Sequence, residues 1–249
     1  MAGWGSPEPS VAIGPLKLFN KIKIRVGARE YSVSAPAENA VGHLGLMKVD
    51  HCQKAYSPKR YFKKGDFIVR ARVQTGDHLF VNRITYNFRR PERGDIIVFR
   101  SEQHPNMTPN THYIKRLVAL GGETVRIGND RHVYINGRAL DVHDPGFEKV
   151  YGFDPKQPPE TDRYSGHVNG TMWQHYFKCP GYTPNFPDER TEVKVRPGHY
   201  LTFGDNTLNS ADSRYWGEPD FPEERVIGKS AMVFWPFTER FGWRSEEHT

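Results

Sequence analysis

Short β-branched and aromatic runs recur along this chain, separated by polar stretches with Gly, Asp and Pro: "KIKIRV" (21–26), "DFIVRARV" (66–73), "DHLFVNRI" (77–84) and "DIIVF" (95–99). Short runs of such side chains bounded by turn residues predict many short strands. "ETVRIGNDRHVYINGRAL" (123–140) predicts a hairpin, because two alternating runs flank a Gly-Asn-Asp turn and a second turn signal follows at Asn136-Gly137. Strand patterning returns at "EVKVRPGHYLTF" and "VIGKSAMVFWPF". No internal repeat and no long amphipathic helix is present, so the predicted class is all-β, built of antiparallel sheets.

Between Asp141 and Arg190 the pattern breaks. Seven prolines interrupt any periodicity, while aromatics from Phe147 to Phe186 provide material for packing. This stretch is expected to be a loop-rich insertion into the sheet framework. The expected organisation is a divergent N-terminal β region (1–75), a core from 76–140 and 191–243, the insertion at 141–190, and a short tail at 244–249.

The 249 residues suffice for a substantial core. The net charge of +6 is concentrated: from Lys59 to Arg93 there are ten Lys or Arg against Asp66, Asp77 and Glu92. Such a stretch suits anionic lipid headgroups or nucleic acid, or is an ordinary solvated face. Cys52 and Cys179 have no metal-ligand spacing, and His175 with Cys179 lacks two further ligands, so no metal site is indicated. No run approaches the ~20 apolar residues of a membrane-spanning helix, and the first 30 residues lack the apolar core of a signal peptide.

Two segments hold candidate chemistry. In "HYIKRLVALGGETV", alternation puts Lys115 on one strand face with Tyr113 and Leu117, and Ile114, Arg116 and Val118 on the other. An apolar setting disfavours the ammonium and lowers the pKa of Lys115 toward the range useful to a general base; the alternative is a lysine that snorkels to solvent. In "GDNTLNSADSRYWG" (204–217), Asp205, Asn206, Ser210, Asp212, Ser213 and Arg214 crowd one strand end.

Taken in order, "GDHLFVNRITYNFRRPERGDIIVFR", "YIKRLVALGGETV", "VYINGR" and "GDNTLNSADSRYWG" resemble the bacterial type I signal peptidases, Ser/Lys endopeptidases of protein export, over about 90 of the 249 residues. The resemblance implies a partly open β-barrel with Lys115 as general base, Ser210 orienting its amine, and Asp212 with Arg214 as a supporting ion pair. It further implies that Asp205 and Asn206 shape the turn, and that Tyr113 and Ile114 line the pocket for small substrate side chains. The implied partners are signal peptides of preproteins and an anionic membrane surface, with no nucleic acid. The implied location is the outer face of the bacterial cytoplasmic membrane.

The family's S-M-x-P-T-L box should precede the first Gly-Asp, but "FIVRARVQ" before Thr75-Gly76-Asp77 contains no serine. The candidate nucleophile is Ser6 in "GSPEPSVAIG", where Pro7 replaces the motif Met and Trp4 replaces a frequent Ser. Five residues before Ser6 leave no room for the family's membrane anchor, so the expectation is a chain whose anchor lies upstream. Rival readings are a catalytically silent relative that binds peptides without cutting, a nucleic-acid-binding β-barrel built on 59–93, and a self-cleaving repressor protease, whose family lacks the S-x-D-S-R box.

Overall fold

The computed structural model describes residues 78–102, 104–159, 162, 164–178, 183–208, 210–235 and 242–243, together with the backbone of five short strands between residues 10 and 57. The chain divides into two compact units, Met1–Thr75 and Gly76–Thr249. In the first, β1 (Ser10–Ile13), β2 (Lys21–Val26) and β3 (Arg29–Ser34) form an antiparallel three-stranded sheet, and β4 (Lys48–Val49) pairs with β5 (Tyr56–Ser57). The expected strand at 66–73, Ser6, Cys52 and Cys179 lie outside the described residues.

The second unit is built on two antiparallel sheets. Its larger sheet contains β6 (His78–Asn82), β7 (Ile96–Arg100), β8 (His112–Leu120), β13 (His199–Phe203), β14 (Phe221–Pro222), β15 (Val226–Trp235) and β16 (Gly242–Trp243). The strands run in the order β14-β13-β8-β7-β15-β16, with β6 also paired to β15. The smaller sheet is β11-β10-β9-β12, from β9 (Thr124–Ile127), β10 (Val133–Ile135), β11 (Arg138–Ala139) and β12 (Val193–Lys194). The molecule is thus β-dominated, and among the described strands neither sheet closes into a barrel.

Local sequence explains these elements. The hairpin at 123–140 forms with Val133 opposite Ile127 and Ile135 opposite Val125, all four buried, as the alternation requires. Its second turn uses Asn136 at φ 50° and Gly137 at φ 83°, the left-handed backbone that Asn-Gly tolerates in a two-residue hairpin turn.

Between the sheets, Val118, Val125, Ile127, Val133, Leu201 and Phe203 share one core cluster with Phe147 and Phe186 of the insertion. A second cluster gathers Ile97, Phe99, Leu117, Tyr200 and Phe221 around the fully buried Trp216. Burying each such side chain contributes roughly 1.5–3 kcal/mol, which fixes the strands on either side of β8.

Residues 141–190 hold one short helix among the described residues, α1 (Gly170–Phe177), which the sequence pattern does not signal because two turns are too few to display a period. Asn169 caps it by accepting from the Met172 amide at 2.9 Å. The Asn169 amide also donates to the Ile127 carbonyl at 3.0 Å, tying the helix start to the smaller sheet. Buried Arg131 donates to the carbonyls of Asp162 and Gly166, both at 3.0 Å, and to that of Pro159. The insertion is therefore loop-rich yet closely bound to the sheets.

Candidate active site

Strand β8 sets the site. Lys115 stands opposite Ile97 on β7, in register with Tyr113 opposite Phe99. On the other flank, β13 pairs with β8 only as far as Phe203 opposite Arg116, and the chain then leaves the sheet at Gly204. From His112 to Lys115 that flank of β8 has no strand partner among the described residues. From there the polar segment forms an arch that returns to β13 through Ser213.

The arch is closed by reciprocal bonds. The Thr202 amide donates to the Ser213 hydroxyl at 3.0 Å, and the Ser213 amide donates to the Thr202 carbonyl at 3.1 Å. Inside it, Asp212 and Arg214 are both fully buried. Arg214 Nε and Nη2 reach the two Asp212 oxygens at 2.9 and 2.8 Å, and Nη1 donates to the Thr207 carbonyl at 2.6 Å. The Asp212 carboxylate also accepts from the Gly204 amide at 3.0 Å. Burial alone would raise the Asp212 pKa, but the Arg214 charge and hydrogen bonds override it and hold the carboxyl below its ordinary 3.8.

Gly204 is needed for close approach. A Cβ there would overlap the Ser210 hydroxyl, stand 2.5 Å from the Ser210 Cβ and 3.6 Å from the Lys115 Cδ. Its carbonyl lies 3.3 Å from Nε2 of His167, whose Nδ1 is 2.8 Å from the Tyr151 hydroxyl. A carbonyl can only accept, so Nε2 carries the proton and the Tyr151 hydroxyl donates to Nδ1. Burial, reinforced by the Arg214 charge, pulls the His167 pKa down to about 3, so this imidazole is neutral at ordinary pH.

Lys115, Ser210, Asp205, Asn206 and Ile114 line one cleft of about 330 Å³. Ile96 and Ser230 contribute to its wall. Burial lowers the Lys115 pKa below its ordinary 10.5; the Asp212 charge opposes that, and the Arg214 charge adds to it. A half-buried amine with a depressed pKa in a cleft shared with a hydroxyl can take a proton from a nucleophile more readily than an exposed lysine at neutral pH.

Several placements were not legible in the sequence. Asp205 pairs with buried Arg116, which donates through Nε and Nη2 at 2.8 Å each and through Nη1 to the Gly94 carbonyl at 2.8 Å. Tyr113 is not among the residues lining the cleft; its ring packs near Phe99 and Trp216, and its hydroxyl accepts from the Thr108 amide at 3.0 Å. From the insertion, Asn185 donates to the Ser213 carbonyl at 2.9 Å and the Trp216 carbonyl at 2.7 Å. Only the assembled fold brings His167 and Asn185 to the arch. No motif marks either residue.

Comparison with known proteins assigns the class. Residues 59–235 match the family model described as signal peptidase, peptidase S26. Signal peptidase I of Pseudomonas fluorescens is 32% identical over 186 residues, covering 66% of this chain and 61% of the relative. Signal peptidase I T of Bacillus subtilis is 34% identical over 167 residues, covering 67% and 69%. A probable signal peptidase I-2 of Synechocystis is 28% identical over 208 residues, covering 81% and 77%. The chain belongs to the S26 signal peptidase family, and it spans 61% of the length of the Pseudomonas fluorescens relative.

Proposed function

We propose that this chain is a serine endopeptidase that cleaves signal peptides from exported preproteins with Lys115 as its general base. The observation that carries this reading is the half-buried Lys115 in a cleft shared with Ser210, at a strand edge left without a partner beyond Phe203 of β13. An extended peptide can add to such an edge through main-chain hydrogen bonds, bringing a carbonyl to the amine's side of the strand. Ile114 and Ile96 then offer an apolar wall to small side chains.

In this mechanism the neutral amine removes the proton from a serine hydroxyl, whose oxygen attacks the scissile carbonyl. The ammonium so formed returns the proton to the departing peptide amine, leaving an acyl-enzyme. A water, deprotonated by the same amine, attacks the ester, and the ammonium returns that proton to the departing serine oxygen, restoring hydroxyl and neutral amine. Ser210 orients the amine, and Asp212 with Arg214 keeps the arch in place. No metal or organic cofactor takes part.

Ser6 is the proposed nucleophile within this chain. A second reading, a peptide-binding relative without turnover, draws on the absence of serine in "FIVRARVQ". Incubating the purified chain with a preprotein carrying Ala-x-Ala at its cleavage site separates the two. Turnover that is lost in Ser6→Ala supports the peptidase, and binding without turnover supports the silent relative.

The proposed setting is the outer face of the bacterial cytoplasmic membrane. No helix among the described residues is long and apolar enough to cross a membrane. Exposed Phe80, Ile84, Phe88 and Trp235 lie near Arg83 and Arg90 in the sequence or on the paired strands β6 and β15, a mixture suited to an anionic headgroup layer.

A further inference from the structure

Ser230 has a buried hydroxyl that the described residues leave unpaired. It lies on β15 opposite Val81 of β6, immediately before a shift in strand register, and only 1% of its surface is exposed. Its Oγ has no hydrogen-bond partner among the described residues. Buried hydroxyls in native proteins are nearly always paired, because leaving one unpaired forfeits its hydration with no return. Ser230 is also part of the wall of the Lys115 cleft, where the neighbouring side chains Ile96 and Ile114 are apolar. Asn206 Oδ1, on the same cleft, is likewise without a partner among the described residues. Two such polar atoms on residues that line one cleft mark where a ligand can complete the hydrogen bonding.

We infer that Ser230 is a specificity-determining residue that favours a hydroxyl-bearing small side chain, serine over alanine, at the peptide position seated against it. An alanine methyl fits the same space but leaves the Ser230 hydroxyl unpaired, whereas a serine side chain donates to it or accepts from it. One neutral hydrogen bond made in a desolvated cleft corresponds to roughly a two- to tenfold preference. The inference rests on the proposal that this cleft binds peptide, and it adds the chemical preference of one position.

The test uses fluorescence polarisation with labelled peptides spanning an Ala-x-Ala site, each small position changed to Ser in turn, on the full chain carrying Lys115→Ala to prevent turnover. One serine peptide is expected to bind more tightly than the alanine peptide by about two- to tenfold. Adding Ser230→Ala should reduce that ratio to about one, while thermal melting shows the variant folded. A ratio unchanged by Ser230→Ala, or equal weakening of all peptides, overturns the assignment and leaves the peptide cleft standing. Failure of every peptide to bind removes the cleft reading and this inference together.

Discussion

The Ser210 hydroxymethyl occupies the space that a side chain on Gly204 would need, which places Ser210 and the Lys115 stem on the same bare stretch of backbone. Gly204→Ala must displace Ser210 or shift the arch. The expected outcome is a loss of about 1–3 kcal/mol of stability from overpacking and a fall in kcat larger than any change in KM. Urea unfolding and preprotein kinetics on the same variant check both. Unchanged kcat would show that Ser210 can leave this position without consequence.

Removing one partner of the Asp212–Arg214 pair leaves a buried charge uncompensated. Arg214→Met is expected to cost about 3–5 kcal/mol, or roughly 10 °C in melting temperature. Calorimetry would measure it, and a drop of only 1–2 °C would mean that the arch does not depend on the pair.

Acid should loosen the arch in two stages. The folded pKa of His167 is depressed to about 3 from 6.5, so its contribution is full above 6.5 and is lost progressively as pH falls toward 3. The folded pKa of Asp212 is also depressed, so its contribution is present above 3.8 and is lost as pH falls through its lower folded value. Between pH 6.5 and 3.8 only His167 of this pair titrates. His167→Gln should flatten the fall in urea midpoint across that interval, and an unaltered slope would exclude His167 as its source.

Membrane contact through the exposed apolar residues predicts binding to vesicles containing anionic lipid that weakens as salt is raised, with a blue shift in tryptophan emission that Trp235→Ala reduces. Absence of binding at low salt would remove the membrane surface as a partner.

The strands around Lys115 were legible because 95–99 is a short β-branched and aromatic run, 123–140 alternates, and the turns there have their own residue chemistry. What assembles around them was not. The sequence places Arg116 on the strand face away from Lys115, but nothing local says that it reaches Asp205, 89 positions on. His167 and Asn185 sit in a proline-rich stretch without periodicity, where contacts are decided by tertiary packing rather than by local propensity. The polar box announced itself by composition, yet its closure through Ser213 depends on Thr202 and on the insertion beneath it.

The account turns on Lys115 as the base. Purified full-length protein should process an Ala-x-Ala preprotein at a rate that rises with pH through an apparent pKa below 10.5, and Lys115→Ala, still folded by melting, should lose at least about 10²–10⁴-fold in kcat. Processing by folded Lys115→Ala at a rate near that of the parent chain would contradict it.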